Sequence, residues 1–528
     1  MTHFANEPPI DFSLEGNRRA MAEAIASVRR RLGVEHQPII AGKQVATPDA
    51  MTSHNPCCTR EVVGTFGLAD VRQADDAVAA AAAAAASWGA RSAAERGDVL
   101  RRLAQQLRDH LFELAAWEVL ECAKPWREAT ADITEAIDFC EFYAWQIARL
   151  SRPRGADVPG EENRFVYLPR GVCTVIAPWN FPLAILVGMT TAALAAGNPV
   201  IMKPAEQSSV VAGRFMQLAL EAGVPPEVLH YLPGRGEEVG AHLVAHPEVA
   251  LIAFTGSRDV GTMIHETAAA ASRTGGRFIK KVIAEMGGKN AIIIDRDADL
   301  DEAVAGVVYS AFGFQGQKCS ACSRVIVLRE VHDVFMSRLI EATRSLRVGP
   351  AEHPGTMLAA VIDEEARTRI ERYIGIGRDE GKEALAVDVG PLREEGYFVG
   401  PHIFDDVRPE ARIAQEEIFG PVLAVLSVRD LDEAFAVANG TDYALTGGLF
   451  SRSPAHLDRA RREFQVGNLY LNRGITGALV GRQPFGGFRM SGIGSKAGGE
   501  DYLLQFLLPK VVTENTMRRG FAPPDETT

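Results

Sequence analysis

The chain has 528 residues, 47% of them apolar and 23% charged, enough for roughly three to four domains with a core that needs no disulfides or metal. Lys and Arg number 56 against 68 Asp and Glu, a formal charge of −12, which argues against a protein that wraps nucleic acid. Seven cysteines, with Cys57 and Cys58 adjacent, make no secreted disulfide framework, so reduced thiols in a cytoplasm are expected.

The first twenty residues are polar and lack the apolar core of a signal peptide, and Glu7, Asp11 and Glu15 argue against a mitochondrial presequence. Residues 1–50 read as an arm, helical over 18–32, with a short strand at 37–40. The alanine run 79–86, between Asp75, Asp76 and Trp88, reads as helix, and helical periodicity continues through 91–110, 111–122 and 131–150. The most apolar stretch, 183–196, is too short to span a bilayer and reads as a buried helix. No membrane association is expected.

From Gly171 short apolar runs alternate with helical stretches. Strands are predicted at 172–177, 199–202, 228–232, 250–254 and 281–284, separated by helices at 182–196, 208–222, 237–245 and 259–272. That alternation predicts a parallel, doubly wound α/β sheet with its ligand site at the carboxyl ends of the strands. A second alternation starts at 291–294, includes 325–328, 334–345, 422–427 and 432–437, and ends near 468–471. A strand is predicted at 506–512, followed by a polar tail to Thr528.

The chemistry-bearing residues each admit a plain reading. No G-x-G-x-x-G follows the first strand. Thr255, Gly256 and Ser257 turn from a strand into a helix and could present N–H groups to a pyrophosphate, or simply cap the helix. Lys203 and Glu206, at a strand end, could grip ribose hydroxyls; taken alone they are better read as a surface ion pair. Cys319 lies among glycines beside Lys318, whose charge would favour a thiolate. Cys319 and Cys322 form C-x-x-C, but no second pair or spaced His supports a metal, and none is expected. Glu285, ending a strand before a Gly-Gly turn, suits a general base with a raised pKa, or is a turn residue. Asn180 could donate to an oxyanion or cap the following helix.

Taken in order, PWNFP (178–182), KPAE (203–206), FTGS (254–257), EMGGK (285–289), GQKCS (316–320) and EEIFGP (416–421) resemble the NAD(P)-dependent aldehyde dehydrogenases over roughly residues 35–515. The segment TGALVG (476–481), with QPFGGF (483–488) and SKAGG (495–499), is similar to the branch of that family acting on L-glutamate γ-semialdehyde, the open form of Δ1-pyrroline-5-carboxylate. The resemblance implies two doubly wound α/β domains, a Rossmann-like cofactor domain and a catalytic domain, plus a small β oligomerisation element that combines a β-hairpin near 150–168 with the C-terminal strand near 506–512. The divisions expected are 1–149 (helical part of the cofactor domain), 150–168 (oligomerisation hairpin), 169–285 (Rossmann-like domain), 286–481 (catalytic domain) and 482–528 (return segment and C-terminal strand).

It also implies roles. Cys319 would be the nucleophile, Asn180 with the Cys319 N–H the oxyanion site, and Glu285 the base that activates water. Glu417 would hold the nicotinamide ribose with Phe419 packed nearby, Lys203 and Glu206 the adenosine ribose, and Ser257 the pyrophosphate. Further cofactor contacts implied are Ile176, Pro178, Trp179, Gly236, Gly240, Thr255, Gly256 and Gly261. A carboxylate such as Glu206 beside the 2′ position repels a phosphate there, so NAD is expected over NADP. Ser320, Gly477 and Ala478 would bind the substrate carboxylate, Phe181 and Phe485 would sandwich its methylenes, and Glu135 would meet its ammonium; the plain reading of both Phe residues is core packing. Partners expected are an amino-acid semialdehyde, a second copy of the chain in a dimer or dimer-based hexamer, and a proline dehydrogenase. Aminoadipate or succinate semialdehyde is the alternative substrate. A thiol hydrolase pairing Cys319 with a His is the rival chemistry; the nearest in sequence is His332. Ala123 is a departure, standing where the family often has Gly before Lys124.

Overall fold

The computed structural model describes residues 4–152, 154–273 and 275–517; the polar tail expected up to Thr528 lies outside them beyond residue 517. The N-terminal helices begin where their sequence offers caps. Asp70 accepts from the Gln73 N–H at 2.8 Å while the Gln73 side chain accepts from the Asp70 N–H, opening helix Val71–Ala90. Ser92 and Glu95 repeat the arrangement for Ala93–Asp109. The alanine run is therefore helix, with Ala74, Ala77, Ala81 and Ala84 on its buried face.

We number the strands of the two central sheets β1–β11 in chain order. The first sheet contains β1 (Val172–Ile176), β2 (Val200–Lys203), β3 (Leu229–Tyr231), β4 (Val249–Thr255) and β5 (Lys281–Glu285), parallel and in the order 5-4-1-2-3. Ile39–Ile40 adds antiparallel to β3, and Gly492–Ile493 adds antiparallel to β5 at the other edge. The winding reverses between β4 and β1, so a crevice opens at their carboxyl ends. β1 and β2 read as continuous apolar runs because helices cover both faces of the sheet. One of these, Ala184–Ala195, is buried at every position but Ile185, as a sequence whose only polar side chains are Thr190 and Thr191 favours. No helix among the described residues is long and apolar enough to cross a membrane.

The second sheet holds β6 (Asn290–Ile294), β7 (Cys322–Leu328), β8 (His402–Asp405), β9 (Val422–Val428), β10 (Thr446–Phe450) and β11 (Asn468–Leu471), all parallel, in the order 8-9-7-6-10-11. Lys382–Ala386 adds antiparallel to β8.

Three features depart from the sequence reading. Ala50–Asn55 and Cys58–Gly67 form an antiparallel pair with Val34–His36 added in parallel, where no strands were predicted; only Val63 and Phe66 of the longer strand's large apolar residues are buried, so the period-two signal is weak. The helix expected over 237–245 opens as a π-turn, Gly236–Gly240, before Ala241–Ala245. The hairpin expected over 150–168 is present only in part, whereas its pairing with the C-terminal strand is as expected. Its one strand, Glu161–Pro169, pairs with Leu507–Asn515 over nine residues, and the 154–158 stretch touches it only through the bridges Arg154–Phe165 and Val158–Glu161. The apolar alternation of 165–168 found its partner at the far end of the chain.

The second domain is pinned internally by Arg324, which is 2% exposed. Its guanidinium donates to the Lys289 carbonyl at 3.0 and 2.8 Å and to the Val437 and Ala438 carbonyls at 3.0 Å each, closing the last turn of helix Leu431–Asn439. Arg324→Met leaves those carbonyls buried without donors and is expected to destabilise by about 3 kcal/mol or more. A thermal melt followed by circular dichroism checks this; an unchanged midpoint would mean that the carbonyls find other donors.

Candidate active site

The carboxyl ends of β1, β2, β4 and β5 present a row of side chains in register. Ile176 lies between Lys203 and Phe254, and Thr255 stands beside Glu285. From β1 the chain continues through Pro178, Trp179 and Asn180 into Phe181. Lys124, fully buried, holds this segment: its ammonium donates to the Asn180 carbonyl at 3.0 Å and to Asp132 at 2.6 Å, and Asp132 in turn accepts from the Ala184 N–H at 2.5 Å. Ala123 beside it has φ 51°, so the alanine found where the family often has glycine carries a left-handed backbone at a cost of roughly 1 kcal/mol.

The Cys319 loop comes from the second domain. Phe314, Gln315 and Gly316 all have positive φ (50°, 57° and 70°), which turns the chain sharply out of helix Leu300–Phe312. Side chains pin the loop's backbone. Asn290 donates to the carbonyls of Cys319 (2.7 Å) and Ala321 (2.9 Å), Thr446 donates to that of Ser320 (3.2 Å), and the Gln315 amide donates to Ala360 O (2.7 Å). Asn180 reaches across from the first domain, its Nδ2 donating to Gln317 O at 3.0 Å.

Two cavities meet at Cys319. One is an apolar pocket lined by Glu135, Phe181, Glu285, Ser320, Gly477, Ala478 and Phe485, with Phe139, Tyr143, Met189 and Tyr502. The other is a cleft between the domains, lined by Pro178, Trp179, Asn180, Thr255, Gly256, Ser257, Glu417 and Phe419, with Arg258, Arg369 and Tyr443. Thr255, Ile185, Met286 and Cys319 belong to both. No histidine lines either cavity among the described residues, and His332 pairs with Asp405 at 2.9 Å instead.

Burial dominates the electrostatics. It raises the Glu285 carboxyl to about 8, against the pull of Lys496. Glu285 Oε2 is buried without a hydrogen-bond partner, in a space kept open by glycine: a Cβ at Gly486 would stand 2.9 Å from Oε1. Burial likewise pushes Glu135 to about 8, assisted by Asp132, and Glu417 to about 7. Glu417 accepts from the Gly288 N–H at 2.8 Å, and a Cβ at Gly287 would meet its other oxygen at 2.1 Å. The Cys319 thiol is pushed up to about 12 by burial and then by the neighbouring Glu417 and Glu285. The help expected from Lys318 is a correction: its ammonium is spent on Glu128 at 2.7 Å and lies over the Tyr309 ring. Cys322 is buried at the start of β7, its thiol bonded to Arg324 O, and lines neither cavity.

Lys203, Glu206, Gly236, Gly240 and Gly261 fall outside the cleft lining. Lys203 donates to Glu206 at 2.9 Å, and the same Glu206 oxygen accepts from the Gly236 N–H at 2.9 Å, so the ion pair exists and is tied to the π-turn that also carries Gly240. Gly261 packs against Met286 and Phe254, where a Cβ would stand 2.5 Å from the Met286 sulfur. Ser257 Oγ accepts from the Val260 N–H at 3.3 Å as a helix cap. Phe419, at φ 58°, meets Trp179 edge-on with ring centroids 5.6 Å apart. Sequence reasoning missed Phe139 and Tyr143, although Glu135, Phe139 and Tyr143 repeat every four residues along one face of helix Trp126–Leu150. Arg369 carried no local signal.

The family described as "Aldehyde dehydrogenase family" matches residues 44–512. The 1-pyrroline-5-carboxylate dehydrogenase of Geobacillus thermodenitrificans (strain NG80-2) is 48% identical over 512 residues, covering 97% of this chain and 99% of that one. A Thermus 1-pyrroline-5-carboxylate dehydrogenase solved with bound NAD superposes with a TM-score of 0.94 at 46% identity, covering 98% and 99% of the two chains. Proline utilization A from Bdellovibrio bacteriovorus superposes with a TM-score of 0.96 at 50% identity; there this chain is covered over 99% of its length but spans only 54% of the longer protein. A match that runs through both domains, and relatives covered almost end to end, leave one conclusion: the chain belongs to the aldehyde dehydrogenase family.

Proposed function

We propose that the chain oxidises L-glutamate γ-semialdehyde to L-glutamate with NAD, in the catabolism of proline and arginine. The observation that carries this reading is that Cys319 opens onto both cavities, so an aldehyde in the pocket and a nicotinamide in the cleft reach one sulfur from two sides. Cys319 gives its thiol proton to solvent as Sγ attacks the aldehyde carbon, and the oxygen, as it gains negative charge, is met by the second Asn180 N–H and the Cys319 backbone N–H. The cofactor, when bound, supplies the hydride acceptor and a positively charged ring. Loss of hydride from the adduct carbon leaves a thioester on Cys319. Glu285, with its unpartnered oxygen, then takes a proton from water as the hydroxyl adds to the thioester, and the carbon–sulfur bond breaks to free the acid.

The cleft suits a dinucleotide by its own chemistry. Helix Arg258–Arg273 begins at its wall, offering N–H groups beside Gly256 and Ser257 to a pyrophosphate. Glu417 is held for the nicotinamide ribose with Phe419 and Trp179 packed beside it, while Pro178 and Thr255 complete that wall. Lys203 and Glu206, the latter held by the Gly236 N–H and the former beside Ile176, are assigned to the adenosine ribose, and Gly240 and Gly261 to the cofactor with them. In the pocket, Ser320 and the N–H groups of Gly477 and Ala478 are assigned to the α-carboxylate and the rings of Phe181 and Phe485 to the methylenes. An arriving ammonium would draw the raised Glu135 carboxyl into its charged form.

All seven cysteines are free, which suits a reducing cytoplasm. A proline dehydrogenase is the partner that would deliver the substrate, a link in keeping with the name of the Bdellovibrio relative. The ribbon of Glu161–Pro169 and Leu507–Asn515 exposes Leu168, Leu508, Val511 and Val512, apolar surface that a second copy would cover.

Three measurements test the reading. Initial rates of NADH formation across glutamate γ-, aminoadipate and succinate semialdehydes should give the highest kcat/KM for the first, with NAD over NADP, and Cys319→Ala should bind NAD without turnover; a clear preference for another aldehyde would overturn the substrate assignment. A base must be deprotonated, so turnover should rise with pH through a limb near the Glu285 value of about 8. Glu285→Gln should abolish that limb and lower kcat by about 100-fold or more, and a retained limb would assign it elsewhere. Light scattering should return at least twice the 57.0 kDa chain mass, and a monomer mass would remove the ribbon as an interface.

A further inference from the structure

The pocket's two walls come from distant parts of the chain. Helix Trp126–Leu150 supplies Glu135, Phe139 and Tyr143, and the 477–481 turn supplies Gly477 and Ala478. A third segment, near the start of the described chain, touches both from outside. Asn6 Nδ2 donates one hydrogen to Asp138 Oδ2 and the other to the Val480 carbonyl, each at 2.8 Å. The Glu7 N–H donates to the other Asp138 oxygen at 2.7 Å, and Arg108 ties Glu7 down at 2.9 Å. Phe4 meets Phe142 edge-on at 5.2 Å and lies over Gly481, where an added Cβ would stand 3.2 Å from its ring.

Asp138 and Phe142 are four residues apart on the helix, one face round from the pocket-lining residues. Val480 and Gly481 directly follow the anchor positions, and both Gly477 and Gly481 have φ +75°, so the turn is held by few steric constraints of its own. A single side-chain amide therefore bridges the two walls, with both of its hydrogens used in doing so.

We infer that residues 4–7 form a latch that holds the anchor turn against helix Trp126–Leu150, and that Asn6 is a positioning residue for recognition of the substrate's amino-acid end. The inference rests on the substrate reading proposed above. Without the bridge, the Val480 carbonyl loses a donor and the Gly477 and Ala478 N–H groups must be ordered at the moment of binding. The cost falls on carboxylate recognition. Cys319, Glu285 and Asn180 are held by other contacts, so the chemical step is untouched.

The test is steady-state kinetics of the full chain, of Asn6→Ala and of a deletion of residues 2–7, with glutamate γ-semialdehyde, with propanal, which has no α-carboxylate, and with NAD varied. In both variants KM for the semialdehyde should rise about tenfold, while kcat/KM for propanal and KM for NAD stay within about twofold. An unchanged semialdehyde KM, or equal losses on both aldehydes, overturns the latch. If the deletion does not fold, Asn6→Ala decides alone. A parent enzyme with no preference for the semialdehyde over propanal overturns the substrate reading instead, and so separates the two failures.

Discussion

The site depends on one buried ammonium. Lys124 is 0% exposed, and its charge is answered by Asp132 at 2.6 Å, Glu118 at 3.7 Å and the Asn180 carbonyl at 3.0 Å, with the rings of Phe181 and Phe314 at 4.5 and 5.0 Å. Asp132 and Glu118 raise the pKa of Lys124 against its desolvation, while burial and Asp132 hold the Glu118 carboxyl well above its usual range. The carboxyl groups thus favour the charged ammonium in the interior, while burial disfavours charge on Glu118 and, against the pull of Lys124, on Asp132. Breaking such a pair by removing one partner typically costs about 3–5 kcal/mol. Three elements would come apart together: the helix that carries Glu135, the turn that carries Asn180, and the start of helix Ala184–Ala195 through the Ala184 N–H.

Around this anchor the reacting groups sit in a medium that penalises charge. Glu285, Glu417 and Glu135 all face the Cys319 thiol and all have raised pKa values, so in the resting protein the thiol and its nearest acids favour their protonated forms. An accumulation of carboxylates beside a nucleophile looks self-defeating until the charge of the reactants is counted. A cationic nicotinamide in the cleft and an α-ammonium in the pocket would each lower the cost of ionising what faces them. Charge is then created where both ligands are present.

Much of this was legible residue by residue. The apolar runs of β1–β5 predicted a parallel sheet because strands covered on both faces cannot alternate. The motifs around Asn180, Glu285 and Cys319 stood out because each follows a strand or helix in a turn rich in proline (Pro178, Pro182) or glycine (Gly287, Gly288, Gly313, Gly316). What was illegible involved partners far apart in sequence. Lys318 stood next to Cys319 and suggested a charge effect, yet the side chain points away to Glu128, 190 residues earlier. Phe139 and Tyr143 gave only the helical period that any core face gives, so their place in the pocket was indistinguishable from packing.

The sequence by itself determined most of the elements and the doubly wound class, because caps, periodicity and glycine turns are local and act through neighbours within about one turn of chain, while the side chains expected to react were picked out by the resemblance of the ordered motifs. Only the tertiary structure decided where those side chains meet. Cys319 touches both cavities because two sheets from separate halves of the chain bring their strand ends together, and Glu285 is raised to about 8 because that meeting excludes water. Burial and contact across hundreds of residues are properties of packing, and packing belongs to the whole chain at once.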